Sequence, residues 1–191
     1  MRWLEVRRHS LTKKGSARRR GSHLSAAGVA LARSVGQHLG PFAHVVTGVL
    51  PRLSETAIAM GFAVDECVDW PSGYVPGEVE HHDQWRWPQP YVTYADLVSR
   101  ASGLADVAAE HRRVWMSAVN AVPEGQAALV ISSGGAIEPT LVACLPGGNY
   151  ASWGAPIAHC EGARLGLDQG RFVSVELARV PCAMNFAKQE M

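Results

Sequence analysis

Long apolar runs are missing from this 191-residue chain, and a membrane span is not expected where no stretch of about eighteen apolar residues occurs. The opening residues, MRWLEVRRHS, hold no apolar segment of signal-peptide length. Cysteine is scarce: Cys67, Cys144, Cys160 and Cys182 are spread along the chain with no C-x-x-C pair. That spacing argues against a disulfide framework or a zinc site and suits thiols in a cytosolic protein. Charge is also thin, at 18% of residues with a net charge of +1, so the overall charge points to no polyanionic partner. A content of 47% hydrophobic residues is that of one medium globular domain rather than of a disordered chain.

What charge there is falls unevenly. Arg2, Arg7, Arg8, Lys13, Lys14, Arg18, Arg19 and Arg20 crowd the start of the chain against Glu5 alone. A local positive field of this kind draws anions.

Residues 3–8 read as a short strand, and Lys13 to Ser22 as a basic loop bounded by glycines. Ser25 is a suitable N-cap for a helix with an apolar stripe at Val29, Leu31, Ala32, Val35 and Leu39, stopped by Gly40-Pro41. His44 to Thr47 reads as a strand, and Pro51 opens a second helix that ends near Gly61. Residues 70–91 are rich in Trp, Tyr and Pro without clear periodicity, the mark of a functional lid or binding loop. Thr93 could cap a helical stretch from Tyr94 to about Val122, interrupted near Gly103. Residues 127–132 read as a buried strand, and Gly134-Gly135 leads into a helix ending near Pro146. Residues 156–160 and 171–178 read as the last two strands, with Gly162, Gly166 and Gly170 in turns. Alternation of this kind predicts a three-layer α/β sandwich with a mainly parallel central sheet flanked by helices. With no internal repeat and no composition break, residues 1–191 read as a single domain.

Parallel sheets of this type bind ligands at the carboxyl ends of their strands, and three such ends carry polar residues. In LEVRRHS (4–10), Arg8 can clamp phosphate oxygens and a neutral His9 can attack phosphorus. In LPRLSETA (50–57), Arg52 sits at a helix start and can reach the same anion. In LVISSGGAIEPTL (129–141), backbone N–H groups after the strand can cradle an anion. Alone, each reads more readily as a solvated strand end, a helix start or a tight turn.

Together, with LSAAG (24–28) between the first two, these segments resemble the histidine phosphatase superfamily, whose fold is phosphoglycerate-mutase-like. The matching pattern is a strand, an Arg-His-Gly-type motif and a Leu-Thr/Ser-x-x-Gly helix start. A second strand and an Arg-x-x-x-Thr-Ala helix follow. VISSGGAI resembles the superfamily's Val-x-Ser-His-Gly-Gly-x-Ile. The likeness covers about residues 3–61 and 127–180 and implies a phosphomonoester hydrolase acting through a phosphohistidine at His9. Arg8 and Arg52 would bind the phosphoryl group, with Ser10, Ser133 and Gly134 beside it. The implied general acid is a carboxylate after the second helix. Glu80 is preferred, because Glu-His-His-Asp-Gln-Trp loosely matches Glu-x-x-x-Gly-x-Trp, while Glu78 and Asp83 stay open. No metal or cofactor is implied, since arginines supply the positive charge, and the implied partner is a small phosphorylated molecule.

Two positions depart from the pattern. Ser10 stands where glycine is usual, a small-for-small change. Ser133 stands where the second catalytic histidine is expected, and loss of one well-placed donor typically costs about 100- to 1000-fold in rate. Three consequences are open: slow turnover, recruitment of His81, His82 or His159, or loss of catalysis altogether. The rival functions are therefore a phosphate-binding pseudo-phosphatase and a phosphoglycerate-mutase-type phosphotransferase. A nucleic-acid-binding role for the 13–20 loop has little support, and the adjacent pair His81-His82 is too little for a metal site.

Overall fold

The computed structural model of the protein describes residues 1–14 and 22–181. Most of the basic loop, including Arg18 to Arg20, and Cys182 lie outside the described residues. Six strands form one sheet in the order β3-β2-β4-β1-β5-β6. They are β1 (Arg2–Arg8), β2 (His44–Gly48), β3 (Glu66–Val68), β4 (Ala127–Ser132), β5 (Gly162–Asp168) and β6 (Arg171–Ala178). β1 to β4 run parallel, and β5 and β6 complete the sheet antiparallel. Parallel neighbours need crossover helices, which coat both faces.

Sequence periodicity assigns each face. On β4, Ala128 and Val130 join the cluster under α3 (Pro90–Ser99), α4 (Gly103–Asn120) and α5 (Ile137–Cys144). Leu129 and Ile131 alternate to the other face, under α1 (Ala26–Gly36) and α2 (Pro51–Ala59). This is the two-residue period of a strand buried on both sides. α1 buries Gly28, Leu31, Ala32, Val35 and Gly36, the stripe of an amphipathic helix, and Ser25 caps it by accepting from the Gly28 N–H. α4 buries Leu104, Val107, Ala108, His111, Val114 and Trp115 along one side. Truncating the fully buried Trp115 to alanine would cost about 3–5 kcal/mol.

The architecture matches the expected sandwich, with four corrections. β3 was not anticipated: it is three residues long and largely exposed, so it carries no apolar pattern. Thr93 does not cap a helix but lies inside α3, whose first residue is Pro90, and Ser102 caps α4 instead. Residues 156–160 form a turn rather than a strand, and β5 starts at Gly162. Gly162 and Gly166 therefore lie within that strand, where a Cβ on Gly162 would strike the Val6 carbonyl. Cys67, Cys144 and Cys160 are free thiols. Among the described residues no helix is long and apolar enough to cross a membrane.

Candidate active site

The four parallel strands end at one edge of the sheet, and each delivers a polar residue there. His9 follows β1, Arg52 stands on the first turn of α2 after β2, Asp69 follows β3, and Ser133 follows β4. β5 runs the other way, so the turn that precedes it, residues 157–161, reaches the same edge.

A two-lobed cleft opens over this edge. One lobe, about 320 Å³, is lined by Arg8, His9, Thr12, Lys14, Ser22, His82 and His159 among others. The other, about 300 Å³, runs past Gly48, Leu53, Val68, Asp69 and Trp70. Arg52, Tyr74, His81, Ser133 and Gly134 border both.

His9 is nearly buried, and its backbone N–H donates to the Ser132 carbonyl, which locks β1 to β4 at the site. Its Nδ1 lies 2.7 Å from the Ser10 carbonyl. A carbonyl only accepts, so Nδ1 carries the proton and Nε2 keeps its lone pair. Burial, then the Arg8 guanidinium, hold the His9 pKa well below that of a free imidazole. The ring is therefore neutral at neutral pH, as a nucleophile must be.

Arg8 is fixed before any ligand arrives. Its Nη1 donates to the Ile157 carbonyl at 2.7 Å, and its guanidinium lies flat on Gly134, where a Cβ would come within 2.8 Å of Cζ and Nε. The fully buried Glu138 braces the surroundings: its carboxylate accepts from the N–H groups of Gly135 (2.8 Å) and Ile157 (3.0 Å). Burial raises the Glu138 pKa and the Arg8 charge opposes that rise. Arg52 donates weakly to the Ser22 hydroxyl at 3.4 Å. Burial and the nearby Arg8 both disfavour its charge, and an anion lodged between the two guanidiniums removes that penalty.

Ser10 is brought to the site but not into the cleft. Its hydroxyl donates to the Gly28 carbonyl at 2.7 Å, and its N–H donates to the Thr56 hydroxyl at 3.0 Å. It ties the segment after His9 to α1 and α2 and, unlike Arg8 and His9, does not line the cleft. The LSAAG motif has its reason here, because a Cβ on Gly28 would strike the Leu11 carbonyl.

The two carboxylates favoured from sequence stand elsewhere. Glu78 accepts from the Gly103 and Leu104 N–H groups at 2.8 and 3.0 Å, satisfying the start of α4. Glu80 accepts from the Gly77 N–H, and Asp83 from the Glu80 N–H. None of the three lines the cleft. Asp69 is the carboxylate among the described residues lining it, and sequence reading missed it because β3 before it was illegible.

Another wall of the cleft comes from residues 70–82. Gly73 crosses Gly135 so closely that a Cβ would overlap its backbone. His111, fully buried on α4, donates from Nε2 to the Pro71 carbonyl at 2.9 Å and stacks near Trp70. Tyr74 packs on His81 with ring centroids 4.8 Å apart, and His81 on His82 at 3.7 Å. His82 adopts a left-handed backbone at φ 71°, a strained conformation of the kind that gathers at functional sites.

No protein-family model and no curated protein matches the chain. Solved structures do. A mycobacterial glucosyl-3-phosphoglycerate phosphatase complexed with VO3 is 20% identical, with 93% of this chain and 98% of that one aligned at a TM-score of 0.64. An Entamoeba histolytica phosphoserine phosphatase in complex with 3-phosphoglyceric acid is 14% identical over 94% and 98%, at 0.65. Bacillus stearothermophilus YhfR is 20% identical over 90% and 94%, at 0.58. These neighbours are histidine phosphatase superfamily members, and at such identities what this chain shares with them is the fold, as the sequence motifs led one to expect.

Proposed function

We propose that this protein is a phosphomonoester hydrolase of the histidine phosphatase type, acting on a small phosphorylated molecule through a phosphohistidine at His9. The observation that carries the reading is the state of His9: a neutral ring with Nδ1–H committed to Ser10, in a lobe it shares with the Arg8 and Arg52 guanidiniums. The neighbours' names, phosphatases for phosphorylated small molecules, support the same class. The spread of free thiols suits a cytoplasmic setting.

In the first step Arg8 and Arg52 hold the phosphoryl oxygens and Nε2 of His9 attacks phosphorus. The P–N bond forms as the ester P–O bond breaks, and Asp69 gives its proton to the leaving oxygen. The ring becomes cationic, and the Ser10 carbonyl accepts more strongly from the now more acidic Nδ1–H. In the second step water attacks phosphorus, Asp69 takes the water proton, the P–N bond breaks and His9 returns neutral. Gly134 contributes from the end of β4, where Ser133 replaces a longer donor. A hydrolase is preferred to a mutase because the similar solved structures are named as phosphatases, and a mutase would further need to retain its phosphoenzyme away from water.

The test is orthophosphate liberation from a panel of phosphomonoesters in EDTA, native protein against His9→Ala. Activity that survives EDTA and vanishes in the variant, with a mass-shifted phosphohistidine at His9, is the expected result. Equal background from both proteins would favour the second reading, a phosphate-binding protein without turnover, which the Ser133 substitution supports.

A further inference from the structure

The reading above leaves His159 without a task, although the backbone holds it firmly in place. The turn that carries it is laced to Arg8: Arg8 N–H donates to the Glu161 carbonyl at 2.8 Å and Cys160 N–H to the Arg8 carbonyl at 3.1 Å. The Arg8 side chain binds the same turn at Ile157. Ala158 N–H donates to the Glu161 carboxylate at 3.0 Å, closing the turn. Cys160 takes a left-handed backbone, φ 60°, to make the reversal. What these bonds deliver is one imidazole into the lobe that holds His9, with the two rings edge to face at 5.6 Å. Among the described residues neither ring nitrogen of His159 has a hydrogen-bond partner.

Burial, then Arg8 and His82, push the His159 pKa down to about 3. The ring is neutral and carries one N–H donor, which stands beside two guanidiniums without repulsion. A transferring phosphoryl group spreads its charge over three equatorial oxygens, and Arg8 and Arg52 are two cationic donors. At the end of β4 the third position falls to a serine, whose hydroxyl is short and uncharged.

We infer that His159 donates its ring N–H to the phosphoryl group held at His9, supplying from the β5 side the donor that Ser133 is too short to provide. The inference rests on the reading that this cleft binds a phosphoryl group at His9. A purely structural role, packing against the His9 ring, needs the ring and not the N–H. Two variants separate these roles: His159→Phe keeps the ring and loses the donor, and His159→Gln loses the ring and keeps a donor.

The experiment is calorimetric titration with orthovanadate, a mimic of the five-coordinate phosphorus, and with inorganic phosphate. The proteins are the native chain, the two His159 variants, His9→Ala and the double variant His159→Phe/Ser133→His. The donor role expects His159→Phe to weaken vanadate about 100-fold and phosphate much less, with His159→Gln retaining most of the affinity. It also expects the double variant to regain at least about tenfold. Vanadate affinity in His159→Phe within about twofold of native would overturn the inference. If that happens while His9→Ala has lost vanadate, the proposed function stands and only the role of His159 falls. Vanadate binding that survives His9→Ala unchanged, or is absent from the native protein, would instead remove the underlying reading.

Discussion

One wall of the cleft, residues 8–10, 133–135 and 157–161, is held by a mesh of backbone and buried side-chain bonds. The other, residues 69–82, is a loop tied in by the Gly73 crossing, the His111 bond to Pro71, the Gln84 bond to the Tyr74 hydroxyl, the Glu78 cap on α4 and the narrow bridge between Val75 and Val79, among other contacts. On the proposed function the first wall would hold the phosphoryl group, where an error of an ångström is costly. The second would face the rest of the substrate, where aromatic and imidazole surfaces tolerate some variation. The two walls thus differ in how they are built: backbone ladders and buried bonds on one side, a long loop on the other.

The contrast is sharpest at Gly134. Gly134→Ala would push a methyl group into the Arg8 guanidinium, and kcat/KM should fall about 100-fold with the fold intact, read by steady-state hydrolysis and circular dichroism. Next in size comes the choice of acid. Asp69→Asn should slow an alkyl phosphate by about 100-fold and a nitrophenyl phosphate, whose leaving oxygen needs no proton, far less. Glu78→Gln should lower the melting temperature and leave kcat within about twofold of native. The reverse ranking would return the acid to the 78–80 region. On the looser wall, His81→Ala should raise KM by about tenfold and barely change kcat, since His81 borders both lobes and makes ring contacts only.

The smallest effect concerns stability. Burial holds the His111 pKa below that of an exposed imidazole, and its Nδ1 has no partner. The unfolded chain therefore takes up a proton that the folded chain refuses. This contribution is complete above about pH 6.5 and is lost as pH falls below it. His9 and His159 act in the same direction. The urea midpoint should drop between pH 6.5 and 5, less steeply in His111→Gln; an unchanged slope would mean that His111 is not what ties Pro71 to α4 under acid.

The two walls also differ in how far they could be read from sequence. β1, β2, β4, α1 and α2 were legible because their apolar periods are strong, and they end in short motifs whose residue types state their chemistry. Arg8, His9 and Arg52 duly meet at one edge. The second wall has no period to read. β3 is stabilised by pairing with β2 rather than by its own burial, so Asp69 lost its landmark. The carboxylates of Glu78 and Glu80 looked available in sequence because a backbone N–H partner leaves no trace there. Residues 156–160 read as a strand because Ile157 and Cys160 are apolar and buried, but bonds to Arg8 rather than a strand ladder hold them.

The passage of Gly73 over Gly135 has a consequence for recognition. Two glycine backbones touch there with no room for a methyl group, so the 70–74 segment has a fixed height above the β4 turn. A loop resting on such a stop cannot sink further onto a bound molecule. Any side chain at position 73 would lift the segment off that stop, and would carry Trp70 and Tyr74, which line the cleft, away with it.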